Sequence, residues 1–133
     1  MKAIKKNKFV IRVNAPASQL FEFTLNPANT PLWIDGVTHS ESDAWPVLEG
    51  TTYRHQHSDG TWNEYVVSSL EKNKSFIMKM KDGNYHVRYM FVPISETETE
   101  FEYFEWVIRE VLPNPNPKEI LSKLKSAVES SIS

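Results

Sequence analysis

Two short stretches, Ser58-Asp59-Gly60 and Lys81-Asp82-Gly83, limit the fold of this chain more than any others. Each lies between runs in which apolar and polar residues alternate. GTTYRHQH (50–57) and TWNEYVVSSL (61–70) flank the first; SFIMKM (75–80) and NYHVRYMFV (84–92) flank the second. Asp-Gly between alternating runs is a hairpin signal, because glycine supplies the positive φ of a tight turn. TEFEYFEWVIREV (99–111) adds a long last strand behind the polar loop PISETE. Consecutive hairpins build an antiparallel meander, and the chain lacks the strand–helix alternation of a parallel sheet.

The flanks complete the pattern. In IKKNKFVIRV (4–13), Phe9, Ile11 and Val13 share one strand face. NAPASQLFEFTL follows, with Leu20, Phe21, Thr24 and Leu25 at helical spacing. Asn26-Pro27 ends that helix, since a residue before proline disfavours the α region. Asn29 or Thr30 is expected to cap a second short turn beginning near Pro31, and GVTHSES (36–42) reads as a short strand. After LPNPNP, Asn116 as N-cap, Pro117 at N1 and Glu119 at N3 open a last helix over 117–132. Ile120, Leu121, Leu124, Ala127, Val128 and Ile132 form its apolar stripe. The expectation is an α+β fold: two short helices after the first strand, an antiparallel sheet of about six or seven strands, and an amphipathic C-terminal helix lying on it.

With 133 residues the chain has the size of one domain, 1–133. It has no cysteine, so disulfides, thiolate metal sites and cysteine nucleophiles drop out. A formal net charge of −2 gives no nucleic-acid footprint and no polybasic membrane patch. Lys2, Lys5, Lys6 and Lys8 are read as a solvated, fraying start. No apolar run is long enough to span a bilayer. MKAIKKNKFVIRV lacks the apolar centre of a signal peptide, so a cytoplasmic location is expected. No glycine pattern of a nucleotide-phosphate or dinucleotide site is present, and no serine lies in a nucleophile elbow.

The ordered set APASQLFEF (15–23), PLWIDGV (31–37), PVLEGTTYR (46–54), VRYMFVP (87–93) and TEFEYFEW (99–106), closed by the terminal helix, resembles the START / birch-pollen-allergen superfamily. Within it, the chain looks most like the small bacterial polyketide cyclase/dehydrase proteins. The resemblance covers nearly the whole chain and implies a helix-grip fold, a curved sheet wrapped around the C-terminal helix with a cavity between them. It would place Trp33 at the end wall of that cavity. The helix over 117–132 is shorter than the family's.

Alternation sorts the faces. The inward set comprises Phe76, Met78 and Met80; Tyr85, Val87, Tyr89 and Phe91; Phe101, Tyr103, Glu105 and Val107; and Tyr53, His55 and His57. Strand 61–69 is left open, because Trp62, Glu64 and Val66 oppose Asn63, Tyr65 and Val67 and both sets are mixed. Expected ligand contacts are therefore Trp33, Tyr53, His55, Phe76, Met78, Tyr85, Tyr89, Phe91, Phe101, Tyr103 and Glu105, with Leu121, Leu124 and Val128 from the helix. Aromatic rings carrying a polar tip suit a mostly apolar pocket with few polar groups; they equally suit a filled aromatic core.

The chemistry has the same two sides. His55 and His57 with Glu64 and His86 could gather a metal as cupins do, although the glutamate comes late for that pattern; otherwise they are two hairpin histidines near Asp59. Glu105 could be a general acid or base, the ion-pair partner of Arg54 or Arg109, or simply exposed at the sheet end. Tyr53, Tyr85, Tyr89 and Tyr103 could donate to a ligand carbonyl, or be core tyrosines. Asp35 beside Trp33 could orient a ligand or cap a turn, and is read as a turn cap. The leading expectation is binding or transport of a small apolar or aromatic molecule without metal or cofactor. The alternatives are a cyclase/dehydratase-type enzyme using Tyr53, His55 or Glu105, and a protein-docking module without ligand. An oligomer, a homodimer included, is compatible with the sequence.

Overall fold

The computed structural model describes residues 5–109, 111–112 and 118–132. In chain order these form β1 (Lys6–Val13), α1 (Ala17–Leu25), a 3-10 turn (Pro27–Leu32), β2 (Val37–Ser42), β3 (Thr52–His57), β4 (Trp62–Glu71), β5 (Ser75–Met80), β6 (Tyr85–Pro93), β7 (Thr99–Val107) and α2 (Lys118–Ile132). The strands make one curved antiparallel sheet in the order β1-β7-β6-β5-β4-β3-β2. The first strand pairs with the last, from Lys6 opposite Trp106 to Val13 opposite Thr99. This is the helix-grip α+β architecture expected from the sequence.

Three hairpins share one turn device. The N–H of Gly60 donates to the His57 carbonyl at 2.8 Å, and that of Gly83 to the Met80 carbonyl at 2.9 Å. Both glycines are left-handed, with φ of 89° and 80°, which a residue with a Cβ adopts at a cost. The aspartate before each glycine accepts from the N–H of the residue after it, Thr61 and Asn84 respectively. Between β4 and β5, Asn73 takes the left-handed role with φ of 62°, a conformation asparagine tolerates best after glycine.

Several local readings change. Asn26, not Asn29 or Thr30, caps the second helical segment: its side-chain oxygen accepts from the Ala28 N–H at 3.0 Å. The segment therefore starts at Pro27, whose fixed φ suits a first helical position, and Asn29 instead donates to the Phe23 carbonyl. Lys6 and Lys8 belong to β1, and Lys8 pairs with Glu102 across the sheet at 2.9 Å. The last strand stops at Val107 rather than 111: its ladders end at the Tyr85–Val107 and Lys6–Trp106 pairs, and beyond them the Val107 N–H donates to the Lys5 carbonyl and the Ile108 N–H to the Asn84 carbonyl. The Asp35 carboxylate pairs with Lys123 of α2 rather than capping a turn. Strand 61–69 turns Asn63, Tyr65 and Val67 to the concave face and leaves Trp62 half exposed outside. The expected cap at Asn116 and Pro117 lies outside the described residues.

The helices cover the concave face. Leu20, Phe21 and Leu25 of α1 and Leu121, Leu124 and Val128 of α2 are buried with the inward residues of the strands. Phe21 meets Phe76 and Phe91 edge-on, with ring centroids 5.8 and 5.4 Å apart, and Phe91 lies 5.3 Å from Phe101. Deleting 118–133 would uncover this apolar face, and large exposed apolar patches drive association. The expected outcome is insoluble or molten protein without a cooperative thermal transition. Leu124→Ala, at a fully buried position, should keep the fold and lower stability by about 3 kcal/mol in urea unfolding.

Candidate functional site

The inward stripes of the central strands all change character at one level of the sheet. On β3 the packed Tyr53 gives way to His55 and His57, and on β4 Val67 gives way to Tyr65 and Asn63. Phe76 is followed by Met78 and Met80 on β5. Phe91 precedes Tyr89, Val87 and Tyr85 on β6, and Phe101 precedes Tyr103, Glu105 and Val107 on β7. The earlier residue of each series is packed in the core, and the later ones line a cavity of about 470 Å³. The pairing holds these levels together: Phe76 opposes Tyr89, Tyr89 opposes Tyr103, and Val87 opposes Glu105. Trp33 and Ile34 close one side, Ile120 of α2 reaches in, and Asp82 and Asn84 of the β5–β6 hairpin with Val111 stand among the lining residues.

The expected ligand contacts therefore divide. Trp33, His55, Met78, Tyr85, Tyr89, Tyr103 and Glu105 line the cavity. Tyr53, Phe76, Phe91, Phe101, Leu121, Leu124 and Val128 pack in the core and are not among its lining residues. Tyr53 is the clearest correction. Its hydroxyl donates to the Leu25 carbonyl at the end of α1, so it ties helix to sheet and is not placed to act on a cavity ligand. The wall also includes Met80, which the alternation turned inward, and Asn63, Tyr65, Asp82, Asn84 and Ile120; none of these was among the expected ligand contacts. A signal was available: in a meander, the 58–60 and 81–83 turns lie at the same end of the sheet, so residues beside both belong to one rim.

Glu105 is 5% exposed. Its Oε1 accepts from the hydroxyls of Tyr85 at 2.7 Å and Tyr103 at 3.0 Å, and its Oε2 from Asn7 Nδ2 at 3.3 Å. The two phenols are 3.2 Å apart. Burial above all, with the neighbouring Glu105 carboxylate contributing, pushes both phenols up from their ordinary range, so they remain donors at neutral pH. Burial raises Tyr89 as well. Neither Arg54 nor Arg109 pairs with Glu105: Arg54 binds Glu41, and Arg109 donates to Asn84 and the Asp82 carbonyl.

At the other side of the cavity, His55 Nδ1 lies 2.8 Å from Ser40 Oγ, and His57 Nε2 lies 2.8 Å from Asn63 Nδ2. Burial first, and then the adjacent His57, lowers His55 to about 4, so it is neutral at pH 7. The four residues of the metal alternative do not converge. His55 and His57 face the cavity, whereas Glu64 pairs with Lys81 and His86 stacks on Trp106, 4.9 Å between centroids, on the opposite face. Among the described residues no group of three or more metal-ligating side chains is gathered.

The His55 environment sets a pH dependence. In the unfolded chain this imidazole titrates near 6.5; in the fold it does so at about 4. The unfolded chain takes up a proton that the folded chain refuses, so the contribution to stability is complete above about pH 6.5 and is lost as pH falls through 4. The full difference corresponds to about 3 kcal/mol. Urea unfolding at pH 7.5 and pH 4.5 should show the drop, and His55→Gln should flatten it.

No protein-family model matches the sequence, and no curated protein sequence matches it. Solved structures do match in shape. A START superfamily protein from Mycobacterium smegmatis superposes with a TM-score of 0.72 at 15% identity, over 96% of this chain and 99% of that one. A point mutant of norcoclaurine synthase from Thalictrum flavum, in complex with a transition-state analogue, gives 0.69 at 14% identity over 100% and 99%. The Aha1 dimer from Colwellia psychrerythraea gives 0.72 at 14% identity over 93% and 96%. Among the described residues no helix is long and apolar enough to cross a membrane. The chain has the START / birch-pollen-allergen-like helix-grip fold.

Proposed function

We propose that the protein binds a small molecule with an apolar or aromatic body, held between the sheet and the C-terminal helix. The observation that carries this reading is the cavity of about 470 Å³, walled by Trp33, Met78, Val87 and Tyr89 and carrying polar groups at its two sides. That size and mixture are those of a small-molecule site. Tyr89 offers a hydroxyl that makes no hydrogen bond among the described residues, which suits it to orient a ligand acceptor. The solved structures of the same fold accord with the reading.

One observation favours turnover as a second reading. A neutral imidazole, His55, lies on the same cavity as the protonated phenols of Tyr85 and Tyr103. In a cyclase or dehydratase mechanism on a polyketide-like substrate, His55 would remove a proton while a phenol polarised a carbonyl. Tyr85 and Tyr103 already donate to Glu105, so Tyr89 is the better-placed donor for that role.

The neutral fluorophore N-phenyl-1-naphthylamine should bind and quench tryptophan emission. Tyr89→Phe should weaken an oxygen-bearing naphthyl ligand by about 1 kcal/mol and change unfolding free energy less. Met78→Trp should fill the cavity and abolish binding in a folded domain. If no apolar probe binds and Met78→Trp unfolds the protein, the space is a packing defect, and a docking module is the better account. Native mass spectrometry of the domain taken from cell extract separates a retained ligand from a released product.

A further inference from the structure

The charge on the cavity wall is one-sided. Glu105 and Asp82 both line it, and no lysine or arginine does among the described residues. Among the described residues no cationic side chain pairs with Glu105; its partners there are two phenols and one carboxamide. Of the imidazoles on the wall, His55 is held neutral by burial and His57 is engaged with Asn63. Arg109 reaches the Asp82 carbonyl, not a carboxylate of the wall.

A buried carboxylate is stable only when its charge is met by donors or a counter-charge. Here the supply is uneven. Oε1 receives two phenol bonds, which fill its lone pairs; among the described residues Oε2 receives only the Asn7 amide, at 3.3 Å, and keeps acceptor capacity. The rings of Trp33, Tyr65 and Tyr89 line the same space, and aromatic faces attract cations. A directional acceptor, an unbalanced negative charge and aromatic walls together select a ligand that is positive, carries N–H donors and has an apolar body.

We propose that the molecule bound in this cavity is an organic amine, a protonated primary or secondary amine on an aromatic or apolar body, with its ammonium hydrogen-bonded to Glu105. This rests on the reading of the cavity as a ligand site. The carboxylate is a specificity element: it favours ammonium over a neutral group of the same shape, and repels a carboxylate.

Three probes of one shape test it by calorimetry at pH 7: 2-naphthylmethylamine, 2-naphthalenemethanol and 2-naphthoic acid. A charge-assisted bond predicts that the amine binds about tenfold or more tighter than the alcohol, with the acid weakest. Glu105→Gln should erase the preference for the amine and spare alcohol binding. Tyr85→Phe removes one donor from the carboxylate and should enlarge the preference, a change opposite to that of a purely structural loss. If Glu105→Gln fails to fold, the wild-type series and Tyr85→Phe decide alone. Equal binding of amine and alcohol to the wild type overturns the amine assignment and leaves the cavity reading intact. No binding of any naphthyl probe, nor of N-phenyl-1-naphthylamine, overturns both.

Discussion

The ring of Tyr89 is the contact on which the rest of the interior depends. It touches Phe76, Phe101, Tyr103 and Trp33, at centroid distances of 4.8, 5.5, 5.6 and 5.9 Å. Two of those rings belong to the packed end of the sheet and two to the cavity wall. Tyr89 is thus the plane where close packing stops. Below it, phenylalanines interlock at the density of a protein core. Above it, flexible methionines and tyrosines with polar tips border open space. A filled aromatic core and an open cavity thus stand end to end.

Much of this was legible in the sequence, and the reasons are specific. The hairpins could be read because Asp59-Gly60 and Asp82-Gly83 meet a backbone requirement that few residue pairs meet. Alternation on β5, β6 and β7 assigned the inward residues correctly, since a face turned to the interior enforces period two. Strand 61–69 stayed ambiguous because its inward face at Asn63 and Tyr65 borders the polar part of the cavity. Polarity there no longer marks the outside.

Position along a strand was harder to read than the face of it. Tyr53 and Tyr89 look alike in a periodicity argument, yet one is a strut to the Leu25 carbonyl and the other a cavity wall. The difference arises from where α1 ends and where register places the two residues, which are tertiary facts. The same holds for Glu105. Its partners, Tyr85, Tyr103 and Asn7, come from three strands, and sequence distance gave no reason to prefer them to an arginine.

The pairing of the first strand with the last has a consequence for how the molecule is made. The contact between Asn7 and Glu105 spans 98 positions. At a synthesis rate of about 5–20 residues per second, β1 waits roughly 5–20 s for the strand that will cover it. During that interval its backbone groups are a template for any other extended chain nearby. Lys6 and Lys8 punctuate the strand, and lysines at a sheet edge discourage such pairing. The same two positions later flank Asn7, which reaches the buried carboxylate. The strand that carries these two lysines therefore also supplies, in the finished fold, the outer hydrogen bond to Glu105.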